Sequence, residues 1–485
     1  MNKTILSMMI VLFLAGCAVG PDYKRPAIDT PTAWRVEEKE ARDLANTAWW
    51  GQFGDPVLDE LIETALKESD DLRIATARVE EYVGRYWEGR SGLFPQVSGS
   101  ASAGRARSSE EGMSPVLTSA MKNPVDSYQA AFNGTWEIDL WGKLRRATEA
   151  SKADLLSTEE ARQAVILSLV SNVANSYINL RDLDKQLEVA IRTAESRKAS
   201  YDLFKLRYDG GVISELELNQ VISEYEAALA TIPNLEKQIA SQENGLSVLI
   251  GRNPGPILRG KSVDELTLPA VPSGLPSDLL ERRPDIRQAE QALIAANARI
   301  GVAKAQFFPT ISLTGLFGWS STALDNLFTG PAKVWSYAGS AALPIFTGGS
   351  LMGQLKASEA IQKQALYSYQ SAIQNAFRDG DDALIDQKRT REQLEAQKRQ
   401  VGALKEYARI ARLRYENGYT SYIEVLDAER SLFNAELQYT QTQGVLFQAL
   451  VNLYKAVGGG WVVEADRLTQ ATTALEGSGE KSEGR

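Results

Sequence analysis

Histidine is absent from this chain of 485 residues, and cysteine occurs once, at Cys17. The sequence therefore lacks the side chain that most often serves as general acid, general base or metal ligand. A single cysteine excludes an intrachain disulfide and a thiolate metal cluster. No nucleophile with an adjacent base is apparent, and the carboxylates are dispersed along predicted helices. The composition argues against an enzyme and predicts neither a metal nor a cofactor.

Long apolar runs are also missing. After the N-terminus, no run reaches the roughly 20 residues that a membrane-spanning helix requires. The formal net charge is −9, and the 62 acidic and 53 basic residues are mixed along the chain. No basic block stands out, so a nucleic-acid partner is not expected.

The one apolar stretch, at residues 5–14, follows Lys3 and leads into Leu-Ala-Gly-Cys at residues 14–17. This order is typical of a secretory signal peptide. A cysteine directly after the small residues resembles the bacterial lipobox, which predicts a signal peptide at residues 1–16 and a covalent lipid such as palmitate on Cys17. Ala18 in place of an aspartate implies the outer membrane. A free cysteine after an ordinary signal is the alternative.

The chain is an internal duplication. Motifs in the first half recur in the second in the same order and at nearly constant offset. The matched positions are Asp71 and Asp285, Pro95 and Pro309, Tyr208 and Tyr415, Gly211 and Gly418, and Gly251 and Gly458. A repeat of this length indicates a duplicated domain rather than a solenoid. Each copy is predicted to contain a helix, a strand pair, a very long helix, a turn and a second long helix.

Each strand pair shows period-two alternation. From Tyr128 to Leu140 the even positions are apolar and most odd positions are polar, and similar segments begin near Val97, Ile311 and Trp335. Small polar residues on the second face suit membrane strands of about 9–11 residues. An amphipathic sheet over a soluble core is the alternative. Four strands cannot close a barrel, and open edges in lipid leave backbone groups unsatisfied, so the membrane interpretation requires oligomerisation.

The long helices are indicated by missing glycine and proline. Neither residue occurs between Lys143 and Tyr208, and no proline follows Pro344. The spacing predicts one continuous helix over residues 143–208, about 100 Å long at 1.5 Å per residue. A matching helix is predicted over 350–415, with Gly353, Gly380 and Gly402 as weak interruptions.

Each long helix is predicted to end at a Tyr-x-x-Gly turn, where glycine suits a helix C-cap. Ser214 and Ser421 follow these turns, and each precedes a glutamate by three residues. That is the spacing of a capping box, so we predict one at the start of both return helices.

Taken together, these features resemble the TolC-like outer-membrane efflux channels, in particular the OprM-like lipoprotein branch. The resemblance covers nearly the whole mature chain. Its motifs lie at residues 14–17, 49–56, 136–143, 282–286, 308–313, 343–346 and 454–461. It implies an α+β fold in which a homotrimer builds an outer-membrane β-barrel, with four strands per protomer and twelve in total, continuous with a long periplasmic α-helical barrel.

The resemblance also implies a function. The chain would be a passive outer-membrane exit duct for drugs or other small molecules, supplied by an inner-membrane RND-type pump through a periplasmic adaptor. It would be lipid-anchored and extend into the periplasm. A protein-secretion outlet is the alternative within this family. A non-channel lipoprotein, either an adaptor or a coiled-coil spacer, is the alternative outside it.

The predicted domain division follows the repeat. It comprises the signal peptide at 1–16, a lipidated equatorial segment at 17–70, a first repeat at 71–251, a linker at 252–284, a second repeat at 285–458, and an equatorial C-terminus with a flexible tail at 459–485. The strand hairpins are predicted at 96–140 and 310–346, and the helical hairpins at 143–251 and 349–458.

The resemblance places a periplasmic gate on the second hairpin, with Tyr415, Asp427 and Arg430 at the latch positions. Asp427 and Arg430 are three residues apart and share a helix face, so they can pair. An exposed pair contributes about 0–1 kcal/mol, which suits a latch that must open. Ordinary helix-surface charge is the alternative. Gln220 occupies the position of Asp427 in the first copy, so the two hairpins cannot latch identically.

Acidic residues also gather near both turns. They are Asp209, Glu215, Glu217, Glu416 and Glu424. They predict either a cation-attracting ring near the tunnel tip of the assembly or simply solvated turns, and the sequence favours neither.

Overall fold

The structure is a computed structural model that describes residues 18–27, 31, 34, 48–107, 109, 123–271, 279–458 and 462. The predicted signal peptide, Cys17 and the tail at 463–485 lie outside the described residues.

The described chain contains eight α-helices and four β-strands. The helices are α1 (Pro56–Glu68), α2 (Asp70–Ser91), α3 (Lys143–Asp209), α4 (Glu215–Leu249), α5 (Leu279–Arg282), α6 (Pro284–Ala305), α7 (Ser350–Glu416) and α8 (Tyr422–Ala456). The strands are β1 (Gln96–Ala106), β2 (Val125–Ile138), β3 (Thr310–Ser321) and β4 (Lys333–Ala342). Short 3-10 turns occupy Trp49–Phe53, Leu324–Asn326 and Gly330–Ala332.

The element order repeats. The series α2, β1, β2, α3, α4 recurs as α6, β3, β4, α7, α8. Both α3 and α7 have 67 residues, and both α4 and α8 have 35. The two long helices therefore run where the spacing of glycine and proline predicts them, and α7 continues through its internal glycines.

The chain divides into two compact units, each built from three separate stretches. The strand unit comprises residues 1–27, 79–158 and 289–369, and the helical unit comprises 28–78, 159–288 and 370–485. Four of the five unit boundaries fall within helices, and the predicted sequential division into repeats stays a prediction.

The strand unit carries a four-stranded antiparallel sheet in the order β1-β2-β3-β4. Its register places the predicted apolar positions on one face. Gly99 is opposite Phe132, Phe132 is opposite Phe317, and Phe317 is opposite Trp335. Every residue of β1 is exposed, and so are the large side chains of Phe132, Phe317 and Trp335. An amphipathic sheet over a soluble core would bury this face.

The opposite face is held by small polar side chains. The Asn133 Nδ2 atom donates a hydrogen bond to Ser100 Oγ over 3.1 Å, and the hydroxyls of Ser312 and Ser340 lie 2.8 Å apart. These short side chains bond to one another across neighbouring strands, in keeping with the polar face that the alternation predicts.

The helical unit has an apolar core where the segment at residues 49–66 packs against α3, α4 and α8. Trp49 is fully buried and stacks on Tyr454 with ring centroids 5.2 Å apart. Tyr454 in turn donates a hydrogen bond to the Ala270 carbonyl over 2.6 Å. The tryptophan-rich motif at 49–56 thus ties the N-terminal segment and the 252–271 linker to the long helices.

Asp55 is the polar centre of this region. It is fully buried, and its carboxylate accepts hydrogen bonds from the Val57 amide (3.0 Å), the Tyr177 hydroxyl (2.8 Å) and the Lys261 amide (3.0 Å). The first of these bonds makes Asp55 the N-cap of α1. A Cβ atom at Gly260 would lie 2.0 Å from an Asp55 oxygen, so only glycine fits there.

Candidate gate at the turns of the helical hairpins

The turns that follow α3 and α7 have the same backbone geometry. Gly211 and Gly418 have φ values of 72° and 77°, a region that favours glycine. After α3, the amides of Gly211 and Val212 donate to the carbonyls of Tyr208 and Arg207, and the corresponding bonds close the turn after α7. This is a Schellman C-cap, as the Tyr-x-x-Gly spacing predicts.

The starts of the return helices differ. Ser214 forms the predicted capping box with Glu217, because its hydroxyl accepts from the Glu217 amide and the Glu217 carboxylate accepts from the Ser214 amide. Ser421 makes no side-chain cap, so the capping box predicted for the second copy is wrong. Glu424 instead accepts from Thr420 and from Arg414 Nη1, the latter over 2.7 Å.

The physical reason lies in one substitution between the copies. The position of Thr420 is held in the first copy by Ile213, which has no hydroxyl to offer a glutamate. Thr420 and Arg414 compete with the Ser421 amide for the Glu424 carboxylate.

The two hairpins, α3/α4 and α7/α8, share a small apolar core near their turns. Its buried residues are Phe204, Val221, Ala411, Tyr422, Val425, Leu426 and Ala428. Phe204 packs on Tyr422 with ring centroids 4.2 Å apart, and Tyr415 lies edge-on to Tyr422 at 4.9 Å. The predicted gate tyrosine is thus part of an aromatic cluster that joins the two hairpins.

Polar links accompany this cluster. Arg207 Nη1 donates to the Tyr415 hydroxyl over 2.8 Å. On α8, the Arg430 guanidinium binds Asp427 at 2.8 Å, and another of its nitrogens lies 3.8 Å from a carboxylate oxygen of Glu224 on α4. The structure thus pairs Asp427 with Arg430, as their spacing predicts. Both side chains remain about half exposed.

Sequence reasoning missed two residues of this site, Arg207 and Glu224. Arg207 could have been noticed because it is the repeat counterpart of Arg414, next to the predicted gate tyrosine. Glu224 gives no comparable signal, because Ser431 occupies its position in the second copy.

Glu224 also binds a buried cation. The guanidinium of Arg197 lies 3.1 Å from its carboxylate, and only 5% of the Arg197 side chain is exposed. Burial lowers the pKa of Arg197, while the charge of Glu224 acts against that change. Glu224 therefore lies between a fixed partner on its own hairpin and the exposed Arg430 on the other.

The predicted acidic residues divide into two kinds. Glu217 is committed to its helix cap and Glu424 to Arg414. Asp209 and Glu416 end α3 and α7, are exposed, and make no hydrogen bond or ion pair with other described residues. Glu215, in the first turn of α4, is likewise exposed and makes no side-chain hydrogen bond or ion pair with other described residues, so three of the five predicted carboxylates per chain are uncommitted.

The segment that follows Cys17 is described although Cys17 is not. Ala18 lies against Gly142, and the Val19 amide donates to the Trp141 carbonyl over 2.9 Å, just before α3 begins. Asp22 then binds the buried Arg146 at 2.5 Å. The backbone that follows the predicted lipidation site is therefore held within the strand unit, near the end of β2.

Among the residues that the structure describes, no helix is both long and apolar enough to cross a membrane. The same residues contain no group of histidine, cysteine and acidic side chains suited to hold a metal ion.

Comparison with known proteins identifies the family. The sequence profile of the outer membrane efflux protein family matches residues 61–252 and 275–459. The chain belongs to this family. The resemblance drawn from the motifs is thereby confirmed.

Individual members agree over nearly the full length. The chain is 35% identical over 480 residues to TtgC of Pseudomonas putida, which is described as a probable efflux pump outer membrane protein. The alignment covers 97% of this chain and 98% of TtgC. The chain is 34% identical over 463 residues to the cation efflux system protein CusC of Escherichia coli, covering 94% and 98%.

Solved structures of members show the same fold. The crystal structure of CusC matches with a TM-score of 0.82 at 33% identity, over 91% of this chain and 100% of that one. The open state of the MtrE outer membrane channel of Neisseria gonorrhoeae matches with a TM-score of 0.82 at 32% identity, over 92% and 99%.

These matches decide between the functional alternatives. The chain is an outer-membrane efflux channel, and the prediction of an exit duct is confirmed over the adaptor, spacer and protein-secretion alternatives. Its relatives are transport proteins rather than enzymes, which places the family outside catalysis.

Proposed function

We propose that this outer membrane efflux protein works as a homotrimeric, passive exit duct whose protomers together close a twelve-strand barrel. One observation carries the proposal. The sheet of four strands ends in two unpaired edges, β1 and β4, and its apolar face is open. In lipid, open edges leave backbone groups without partners, and barrels start at about eight strands. Pairing β1 of one protomer with β4 of the next removes every edge.

The long helical hairpins would then continue the duct as an α-helical tunnel in the periplasm. Each protomer supplies two hairpins of matched length, since α3 and α7 have 67 residues and α4 and α8 have 35. The shared core of the hairpins near their turns supports a tunnel that narrows there. In this proposal Asp209 and Glu416 of three protomers form the acidic ring.

We infer that the gate consists of Tyr415, Asp427 and Arg430 together with Arg207 and Glu224. The links between hairpins run through exposed or half-buried side chains, where an ion pair contributes about 0–1 kcal/mol. Such contacts are strong enough to bias a closed state and weak enough to break when the second hairpin moves.

The same proposal includes a lipid anchor on Cys17, which would be the one group covalently attached to the chain. The contacts of Ala18, Val19 and Asp22 hold the neighbouring backbone beside the end of β2. A lipid chain there would enter the leaflet that the barrel reaches.

The partners follow from the passive character of the chain. A passive duct supplies no energy of its own, so transport needs an energised pump. We propose an inner-membrane RND-type pump and a periplasmic adaptor, with the cargo chosen by the pump. The relatives named above serve an efflux pump and a cation efflux system, and for this chain we propose small molecules as cargo.

The test is single-channel conductance of the purified, lipidated protein in a planar bilayer, with its oligomeric mass measured in the same preparation. We expect a trimer with a small or flickering conductance. A trimer that never conducts would contradict the duct, and a monomer that conducts steadily would contradict the shared barrel.

A further inference from the structure

The antiparallel contact between α3 and α8 joins the two hairpins within one protomer, and we name it the α3–α8 seam. Its contacts, in order toward the turns, are Asn175 with Asn452 (3.0 Å), Asp182 beside Gly444, Arg192 with Glu436 (2.7 Å) and Phe204 with Tyr422 (4.2 Å). A movement of the second hairpin away from the first has to open this seam.

Asp182 is the buried carboxyl of the seam. Only 4% of the residue is exposed. One oxygen accepts a hydrogen bond from Gln186 Nε2 over 2.9 Å, and the other is buried without a hydrogen-bond partner. Burying a carboxylate with an unmatched oxygen is unfavourable, whereas the neutral acid is tolerated far better.

Gly444 makes the close approach possible. A Cβ atom at this position would lie 2.9 Å from both Cβ and Cγ of Asp182. In the first copy the position of Gly444 is held by Lys237, and in the second copy the position of Asp182 is held by Arg389. The pairing of Asp182 with Gly444 is therefore not repeated at the equivalent positions of the other copy, and it lies between the hairpins.

The charged groups around Asp182 are committed elsewhere. On α3, Arg181 and Asp184 pair at 2.5 Å and bind the linker, through the Lys261 carbonyl and Arg259 respectively. Farther along the seam, Arg192 and Lys405 (the latter from α7) both bind Glu436 of α8. Lys185, one turn farther along α3, binds Glu188 and Asp264 at 3.0 Å each, so no described cation offsets the charge of Asp182.

Burial accordingly raises the pKa of Asp182 to about 7, and the Gln186 hydrogen bond lowers it by less. A solvated aspartate titrates near 3.8. The packed seam therefore holds the proton more tightly than an opened, hydrated seam would. By linkage, the packed seam is favoured at low pH. The ratio of packed to opened seam falls by up to tenfold per pH unit as the pH rises from about 4 to about 7.

We propose that the protonated carboxyl of Asp182, packed on Gly444, keeps the two hairpins together and that its ionisation loosens the α3–α8 seam. Resting on the proposed duct function, this makes opening of the duct depend on periplasmic pH. Low pH closes the duct and neutral pH permits opening.

The experiment compares open probability between about pH 4.5 and pH 8 in planar bilayers for three proteins. These are the wild type, Asp182→Asn and Asp202→Asn. Asparagine has the shape of the protonated acid and cannot ionise. Asp202 lies on the same helix but is exposed and paired with Lys198 at 2.8 Å, so its variant is the matched control.

We expect open probability to rise several-fold to tenfold per pH unit below about pH 7 in the wild type and in Asp202→Asn, with a plateau above. Asp182→Asn is expected to stay at the low-pH level throughout. A wild-type pH profile in Asp182→Asn overturns the proposal.

A second readout does not depend on conduction. Hydrogen exchange of the α8 amides at residues 436–452, corrected for the intrinsic pH dependence of exchange, reports on the seam directly. Protection is expected to fall with pH in the wild type and to stay constant in Asp182→Asn. If none of the proteins conducts but this difference in protection is seen, the proposed duct function is contradicted and the proposed role of Asp182 in the seam is supported. Equal protection in both proteins at every pH contradicts the role of Asp182.

Discussion

Arg207 on the first hairpin donates a hydrogen bond to the hydroxyl of Tyr415 on the second, over 2.8 Å. Its repeat counterpart, Arg414, pairs with Glu424 within its own hairpin. The same residue type at equivalent positions thus links the hairpins in one copy and braces a turn in the other. When the second hairpin moves away from the first, the hydrogen bond from Arg207 to Tyr415 has to break, whereas the ion pair of Arg414 with Glu424 stays intact within the second hairpin.

Removing the Tyr415 hydroxyl is therefore expected to favour opening. A half-buried hydrogen bond to a charged donor contributes about 1 kcal/mol or somewhat more, so Tyr415→Phe should raise the ratio of open to closed channels roughly fivefold. Single-channel recording measures this ratio. Tyr208→Phe is the control, because the Tyr208 hydroxyl makes no hydrogen bond with described residues. Equal behaviour of the two variants would remove Tyr415 from the gate.

The ion pair of Asp427 and Arg430 is expected to have a smaller effect. Both side chains are about half exposed, and such pairs contribute about 0–1 kcal/mol. The double variant Asp427→Ala/Arg430→Ala should raise open probability by at most about fivefold, and less at high salt.

The control for this pair is unusually close. Lys198 and Asp202 on α3 lie 2.8 Å apart with exposures of 58% and 56%, against 55% and 52% for Arg430 and Asp427. Lys198→Ala/Asp202→Ala should leave conductance unchanged. If both double variants open the channel equally, helix-surface charge in general is responsible, and the latch assignment is wrong.

The caps offer a third prediction. Ser214→Ala removes a capping box and should cost about 1 kcal/mol of helix stability, whereas Ser421→Ala removes no side-chain cap. Hydrogen exchange at the first turns of α4 and α8 distinguishes the two. Faster exchange in the first turn of α4 alone is expected, and equal loss of protection in both variants would contradict the observed asymmetry.

The sequence predicted those features that depend on local chemistry. The extent of α3 follows from where glycine and proline are missing, and that of α7 follows from its repeat match to α3, because α7 contains three glycines. The strand faces follow from period-two alternation, and the register places Phe132, Phe317 and Trp335 on one face as expected. Asp427 and Arg430 pair because three residues of helix bring them together.

Contacts between distant residues were not predictable in this way. Arg207 and Tyr415 are 208 positions apart, and no spacing rule connects them. The burial of Asp182 depends on Gly444 of another helix, which a pattern within α3 does not reveal. The failed capping box at Ser421 has the same origin, since it depends on Thr420 and Arg414 as competitors for Glu424.

Asp55 provides a stability prediction for the helical unit. Its buried carboxylate accepts three hydrogen bonds, from Val57, Tyr177 and Lys261. Asp55→Ala leaves these donors unmatched in a buried site and should lower the free energy of unfolding by about 3 kcal/mol or more. Denaturant unfolding followed by tryptophan fluorescence measures the loss. Asp70→Ala, an exposed site, is the control, and similar losses in both would contradict the central role of Asp55.

Cys17 can be tested directly because it is the only thiol in the chain. Cells grown with radiolabelled palmitate should produce a labelled protein in the outer-membrane fraction, and Cys17→Ala should carry no label, since no other cysteine can accept it. Tyr23→Phe, which loses only a 3.0 Å hydrogen bond to Glu290, should remain labelled. The Asp22 contact with Arg146 keeps the following backbone beside the strand unit in either case, so a loss of label in Cys17→Ala reports on acylation rather than on folding. An unlabelled wild-type protein would refute the lipid anchor and return Cys17 to the role of a free cysteine behind an ordinary signal.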